Sequence, residues 1–378
     1  MVADLASGSK MCHRSRCVLK RERVNIPQSA YIRQTVPDSE PGAVIDQYQE
    51  VVVKERDSKP VLFALEASRD FGARVASLLG LELASQEDRH FEDGEHKTRP
   101  VLPVRNRDTY ILHSLFGDDQ FSVHDKLCRL LFFVATLRDA GASSVTVLMP
   151  YLAYGRKDRR SKPNDPVTTR YVAQLLEAMG ADRVVALEAH NQAAFDNAFR
   201  CRTEHLEAHG LFVSELTTLV DSAPVVIVSP DSGGTKRVDR FRDAWAAETG
   251  SQPPTAFLEK HRSEGVVSGD AVIGDLEGRV AIIVDDMVAG GTTLLRAAQS
   301  CKAKGATKVY GVVTHGLFGP GSERLYSAPE LDLLLVSDSV KPMQTPPTGS
   351  RVKVVSVASL FAGAIGRHPF WTNAAGGQ

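Results

Sequence analysis

"RVAIIVDDMVAGGTTLLRAA", residues 279–298, decides how the rest of the chain reads. An aliphatic run ends in adjacent carboxylates, Asp285 and Asp286. Gly290 and Gly291 follow, and Thr292 and Thr293 open a helical pattern. Continuous aliphatics mark a strand buried on both faces, the kind found in parallel sheets. Two like charges at its end repel unless a cation or a polyhydroxylated ligand sits between them. The glycines let backbone amides approach a ligand and the helix offers its positive N-terminus, so together they make a phosphate cradle. Aspartates cannot take phosphate directly, but they can hold sugar hydroxyls or a magnesium ion bound to them. A sugar phosphate satisfies both halves of the stretch. The plainer alternative is a strand exit with a glycine turn and a threonine cap, and the double aspartate speaks against it.

The same rhythm extends in both directions. "PVLFAL", "DTYILHSL", "SVTVLMPYL" and "DRVVALEAH" read as strands, separated by the helical patterns "RDFGARVASLLG", "VHDKLCRLLFFVATLRDAGA" and "PVTTRYVAQLLEAMGA". The last of these places its proline in the first helical turn. After a break near residues 200–220 the alternation resumes with "PVVIVSPDSGG", "TKRVDRFRDAWAAE", "TAFLEKHR", "RVAIIVDDM", "GTTLLRAAQSCKAKGA", "KVYGVVTHGLF" and "LDLLLVSDSV". This is an α/β pattern with mainly parallel sheets covered on both faces. We expect an N-terminal domain over 59–205, completed by a strand and helix from 350–372, and a second domain over 206–349. Ligands of such sheets bind beyond the carboxyl ends of the strands. The polar, glycine-rich strand exits "MPYLAYGRKDRR", "EAHN", "SPDSGG", "EKHR" and "DDMVAGGTT" are therefore the candidate site.

Composition bounds the function. The 378-residue chain suits two domains, and its 43% hydrophobic and 24% charged content is that of a soluble globular protein. With Lys+Arg 45 against Asp+Glu 46, no global field favours nucleic acid or an anionic membrane. No apolar run reaches the roughly 18 residues of a spanning helix. Cys12, Cys17, Cys128, Cys201 and Cys301 are scattered and odd in number, unlike a disulfide framework, so a reduced, cytoplasmic protein is expected. Residues 1–58 carry prolines, a basic stretch and no sustained periodicity, and read as a poorly ordered extension.

The loop from 285 to 293 resembles the phosphoribosyl-pyrophosphate-binding loop of type I phosphoribosyltransferase folds. The chain from about residue 60 to 370 resembles the ribose-phosphate diphosphokinase (phosphoribosyl pyrophosphate synthetase) family. "FEDGE" (91–95), "PYLAYGRKDRR" (150–160), "GADRVVALEAH" (180–190), "VSPDSGGTKR" (228–237), "EKHR" (259–262), "IVDDMVAGGTT" and "VVTHGLF" (312–318) occur in the family's order. The resemblance implies two doubly wound α/β domains of phosphoribosyltransferase type with the active site between them. It also implies transfer of the pyrophosphoryl group of ATP to the 1-hydroxyl of ribose 5-phosphate, a Mg2+ cofactor, and a homo-oligomer, dimer or hexamer.

Residue by residue, Lys260 and Arg262 match the catalytic pair, carried in the family by a flexible loop; "SEGVVSGD" after them lacks bulky apolar groups, as a mobile lid would. His190 and Asp231 match metal-associated positions, and His190 also matches one that helps place ATP. Arg156 and Lys157 fall in the ATP-binding stretch, although Arg159 and Arg160 read equally as a basic surface loop. Phe91, Asp93 and Glu95 match residues that hold adenine and ribose from a neighbouring subunit, Phe91 by stacking; alone, Phe91 could be ordinary core. Asp285, Asp286, Ala289, Gly290, Gly291, Thr292 and Thr293 form the ribose 5-phosphate loop.

The chain also departs from the family. Ala289 and Gly290 stand where relatives have an aspartate and a threonine, Thr292 replaces a glycine, Lys157 a glutamine, and Glu188 an aspartate. A non-catalytic, synthetase-like regulatory subunit is therefore one alternative reading, though the cations in "EKHR" argue against it. A phosphoribosyltransferase is another, disfavoured by the ATP-like motifs of the first half.

Overall fold

The computed structural model describes residues 59–263 and 266–367 and, apart from 232 and 259–271, their side chains. The extension expected over 1–58 lies outside the described residues. In chain order the first half contains β1 (Val61–Ala64), α1 (Arg69–Leu78), β2 (Gln86–His90), β3 (His96–Pro100), β4 (Asp108–Leu112), α2 (Val123–Asp139), β5 (Ser144–Met149), α3 (Thr168–Ala178), β6 (Arg183–Leu187), α4 (Gln192–Ala198) and β7 (Arg202–Leu206). The second half contains α5 (His209–Val220), β8 (Val225–Ser229), α6 (Thr235–Thr249), β9 (Thr255–Ser263), β10 (Val266–Ile273), β11 (Val280–Val288), α7 (Thr292–Ala303), β12 (Lys308–Gly316), α8 (Glu323–Tyr326), β13 (Leu333–Ser337), β14 (Val352–Val355) and α9 (Ala358–Gly366).

A 5-stranded parallel sheet runs β1-β4-β5-β6-β7, and a 7-stranded sheet runs β10-β9-β8-β11-β12-β13-β14, parallel except for the β9–β10 pair. The two-residue period of a strand sends alternate side chains to opposite faces. On β1, Leu62 and Ala64 enter one core while Val61 and Phe63 enter another. On β11, Val280, Ile282 and Val284 face the first of these cores, and Ala281 and Ile283 face a third. The core shared by both sheets also takes Phe71 of α1, Phe212 of α5, Phe241 of α6 and Phe361 of α9. Four helices are thus packed into one apolar layer serving both sheets, and their burial supplies the main stabilising force here.

Several expectations need correction. The C-terminal strand does not complete the first sheet: β14 pairs in parallel with β13, through Leu334↔Val352 to Ser337↔Val355. Only α9 serves the first half, where Phe361 meets Phe71 of α1 edge-on at 5.6 Å. Strand β6 ends at Leu187, so Glu188, Ala189 and His190 lie past it. Pro166 stands before the N-cap of α3, Val167, rather than in its first turn. Lys260 and Arg262 ride on β9, with Lys260 opposite Asp270 and Arg262 opposite Val267 of β10, so their backbone is a paired arm at the sheet's edge rather than an open loop. Residues 264 and 265 between the two strands, and the side chains of Lys260 and Arg262, lie outside the described residues. Among the described residues, no helix is long and apolar enough to cross a membrane.

Candidate active site

Strand β11 runs between β8 and β12 in the interior of its sheet, so its polar end meets groups arriving from both sides. Asp286 is buried. Its Oδ2 accepts a hydrogen bond from His190 Nδ1 at 2.7 Å, across from the end of β6. Arg237, in the first turn of α6, forks between the pair: Nη1 lies 3.0 Å from Asp285 Oδ1 and Nη2 3.2 Å from Asp286 Oδ1. The Asp286 amide donates to Asp285 Oδ1 at 2.9 Å. The repulsion expected between the two carboxylates is thus met inside the chain by one guanidinium and one imidazole.

The electrostatics follow from this arrangement. Burial, then the neighbouring Asp286, pushes the Asp285 carboxyl well above the ordinary carboxylate range. Burial acts the same way on Asp286, but the His190 hydrogen bond and the Arg237 guanidinium outweigh it and hold that carboxyl well below the usual range. The bond to Asp286 raises His190 against its own burial. Behind it, His315 is buried, bonded through Nδ1 to Ser339 Oγ at 2.9 Å, and lowered by burial to about 4, so it is neutral. A small cavity beside the pair is lined by Tyr151, Arg156, His190, Met287 and His315, which brings Arg156 to the same place as His190.

The loop before α7 is built as its glycines require. Gly291 is the N-cap of α7 at φ 76°, where L side chains are rare. A Cβ there would lie 2.4 Å from Leu325 Cδ1, so both conformation and space demand glycine. Gly291 has no side chain with which to cap α7, and Thr292 and Thr293 stand exposed at that end. Gly290 does not need to be glycine: it has no positive φ, and its Cβ would lie 3.4 Å from Pro320 O. Ala289 is half-buried and packs against the apolar cluster of Phe116, Tyr151, Leu317 and Val340.

Other sequence candidates are placed differently. Asp231 lies two residues past β8 and accepts from the Gly233 and Gly234 amides at 2.8 and 3.0 Å, so Oδ1 serves as a cap. Lys157 is bonded to Asp165 Oδ2 at 2.5 Å, which fastens its own loop. Phe91, Asp93 and Glu95 form the tip of the β2–β3 hairpin, where the Phe91 amide donates to Glu95 O and the Glu95 amide to Asp93 Oδ1. Arg89 lies over the Phe91 ring at 4.8 Å. None of the described hydrogen bonds of these three residues reaches the aspartate pair.

Two residues escaped the sequence reading. Arg237 could have been suspected, because a cation in a helix's first turn opposes the helix dipole and needs a local anion. Arg324 of α8, whose Nη2 donates to Thr292 Oγ1 at 3.4 Å, left no such signal.

Adjacent carboxylates at a parallel-strand exit, followed by a glycine loop opening a helix, define a type I phosphoribosyltransferase-fold enzyme that handles a sugar phosphate. Family profiles for the N-terminal domain of ribose phosphate pyrophosphokinase and for the phosphoribosyl synthetase-associated domain match residues 60–180 and 265–372. The chain is 33% identical to the ribose-phosphate pyrophosphokinase of Thermosipho africanus, over 81% of this chain and 93% of that one. It is 30% identical to ribose-phosphate pyrophosphokinase 1 of Listeria monocytogenes, over 82% and 94%. A crystal structure of phosphoribosylpyrophosphate synthetase from Mycobacterium smegmatis superposes with a TM-score of 0.73 at 28% identity, covering 83% of this chain and 99% of that one. The chain belongs to the ribose-phosphate pyrophosphokinase family, enzymes that form phosphoribosyl pyrophosphate and AMP from ATP and ribose 5-phosphate.

Proposed function

We propose that the β11 exit is the ribose 5-phosphate site of this reaction and that Mg2+ is its metal. The observation that carries the reading is the aspartate pair, Asp286 buried and Asp285 half-buried, held by Arg237 and His190 shortly before an uncapped helix start. Asp285 and Asp286 hold the ring hydroxyls, while the α7 amides, Thr292 and Thr293 hold the 5-phosphate. The donors fit magnesium. They are carboxylate oxygens, from Asp285, Asp286 and Asp231, with the His190 imidazole beside Asp286. Magnesium commonly takes one or two protein carboxylates and completes its shell from substrate and water. When bound, it would neutralise phosphate charge and template the two substrates. One or two carboxylates among Asp285, Asp286 and Asp231, or the His190 Nε2 that is not used in the bond to Asp286, would hold it.

Chemistry then needs no covalent intermediate. The 1-hydroxyl attacks the β-phosphorus and gives up its proton to solvent, the bond from that phosphorus to the oxygen shared with the α-phosphate breaks, and AMP leaves with that oxygen. Lys260 and Arg262 meet the charge accumulating there, and Arg156 and Lys157 hold the phosphates of ATP. The hairpin tip with Phe91, Asp93 and Glu95 completes the adenosine site of a second copy in a homo-oligomer. Purified protein given ATP, Mg2+ and ribose 5-phosphate should release one AMP per sugar consumed. Undiminished turnover in excess chelator would remove the metal, and identical activity in forced monomers would remove the hairpin's role.

The departures at 289 and 290 yield a separate prediction. A hydroxyl at 290 would add one hydrogen bond to a charged group, worth about 1.5–3 kcal/mol, or about 10- to 150-fold in affinity. Gly290→Thr is expected to lower the KM for ribose 5-phosphate with little change in kcat, since the backbone and Pro320 admit a Cβ. Ala289→Asp should add less, because it presses a carboxylate against Leu317 and its apolar neighbours. An unchanged KM in Gly290→Thr would show that the phosphate does not sit at this loop.

A further inference from the structure

We infer that Glu188, His205 and His209 form a buried clamp that shapes the chain after β6 and so holds His190 against Asp286; the three are positioning residues for the reaction. The inference rests on the role given above to His190.

It starts from a backbone outlier. Glu188 has φ 43°, a left-handed conformation that a non-glycine residue adopts only when its surroundings enforce it. It lies immediately after β6 and two positions before His190, where a change in φ would redirect the following imidazole. Two histidines from one short stretch, "HLEAH" (205–209), brace it. His205 Nε2 accepts the Ala189 amide at 3.1 Å, satisfying the donor that the turn takes out of the sheet. The Ala208 amide donates to Glu188 Oε1 at 3.1 Å, and His209 Nε2 lies 3.2 Å from the same oxygen. The Glu188 amide itself donates to Leu206 O at 2.9 Å. Residue 188 is fastened through its amide and its carboxylate, and residue 189 through its amide.

The bond from the Ala189 amide fixes one tautomer: because His205 Nε2 accepts, its proton is on Nδ1. Both Nδ1 atoms lie 3.8 Å from the Glu207 carboxylate, which Arg240 Nε holds at 2.6 Å. The protonated Nδ1 of His205 is no metal ligand, and Glu188, 2% exposed with Oε1 bonded to the Ala208 amide and beside His209, faces the clamp rather than a metal. The glutamate that replaces the family's aspartate therefore serves a different purpose here: its extra methylene lets the carboxylate reach His209.

The test is a set of full-length variants assayed with ATP, Mg2+ and ribose 5-phosphate. His205→Leu and Glu188→Ala should lower kcat by about 10- to 100-fold, the scale of a displacement of about 1 Å at a catalytic group, while the KM for ribose 5-phosphate stays nearly constant. His205→Gln and Glu188→Gln keep an acceptor in reach and should restore most of that loss. If Glu188 were instead a metal ligand, Glu188→Gln would raise the Mg2+ requirement as much as Glu188→Ala, and the clamp is overturned. In a His190→Ala background His205→Leu should cost nothing further, since it acts through His190; an undiminished additional loss overturns the clamp. If His190→Ala keeps full turnover, the role assigned to His190 fails. The clamp is then judged by the crystal structure of His205→Leu, where His190 still bonded to Asp286 overturns it. Should His205→Leu not fold, His205→Asn, whose amide is too short to reach Ala189, replaces it.

Discussion

Alanine at Lys260 or Arg262 is expected to remove about 100- to 1,000-fold of turnover, the usual effect of deleting one donor to transition-state charge. The reason lies in the reaction. Breaking the bond between the α- and β-phosphates builds charge on an oxygen already surrounded by anionic groups, and no nucleophile of the protein shares the burden. Both cations lie on β9 at the sheet's edge arm, far in sequence from the aspartates, so their loss should leave the sugar-phosphate site intact. The KM for ribose 5-phosphate and the melting temperature should therefore barely move, while kcat collapses. Losses in the double variant should be less than the product of the single ones, because the two act on one charge. Lys260→Arg should recover only part, since a planar guanidinium does not reproduce an ammonium. If both alanine variants turn over within about threefold of wild type, a loss of under 1 kcal/mol in the barrier, neither residue belongs to the mechanism.

How much of this could be read in the sequence depended on what each element buries. Val61–Ala64, Val225–Ser229 and the start of β11 are continuous aliphatics because helices cover both faces of their sheets, and such runs are visible without a structure. The hairpin strands "QEDRH" and "HKTRP" are largely exposed and carry no apolar alternation, so nothing in them signals a strand. Strand β7, "RTEHL", is hidden for the same reason. The pattern of β14 marks a strand but does not name its partner, which explains its assignment to the wrong sheet. The site divides in the same way. Asp285 and Asp286 are neighbours in the chain and visible as a motif. Arg237 lies 48 residues from Asp285, and His190 lies 96 residues from Asp286, so these partnerships exist only once the sheets have formed. The left-handed turn at Glu188 was equally invisible, because glutamate gives no hint of positive φ.

Asp286→Asn is expected to weaken ribose 5-phosphate binding in the presence of Mg2+ by at least about 100-fold and also to destabilise the ligand-free protein. From the sequence alone, relief of repulsion between the two aspartates would predict the opposite for stability. The structure reverses that expectation in two ways. First, the Asp285 carboxyl is already pushed above the ordinary range by burial and by its neighbour, so protonation relieves much of the repulsion in the wild type. Second, Asp286 is the anion that His190 and Arg237 share, and Arg237 is itself only 9% exposed. Removing one partner of a buried ion pair costs about 3–5 kcal/mol when a bare charge remains. An asparagine oxygen softens this, and hydrogen bonds to charged groups, worth about 1.5–3 kcal/mol each, set the more realistic scale. Asp285→Asn should behave differently, with lost binding but little loss of stability. The pH dependence separates them further. A carboxyl raised in the folded state binds its proton more tightly there than in the unfolded chain, so its contribution is fully present in acid and is lost as pH rises toward its folded value. Asp286, held low, contributes above the unfolded carboxylate range and loses that contribution only in strong acid. Melting curves from mildly acid to neutral pH should therefore fall less steeply for Asp285→Asn than for wild type, while Asp286→Asn should lie below wild type throughout. A ligand-free Asp286→Asn protein more stable than wild type would mean that Arg237 and His190 do not depend on that carboxylate. Unchanged sugar-phosphate affinity by calorimetry would mean that the pair does not grip the ribose.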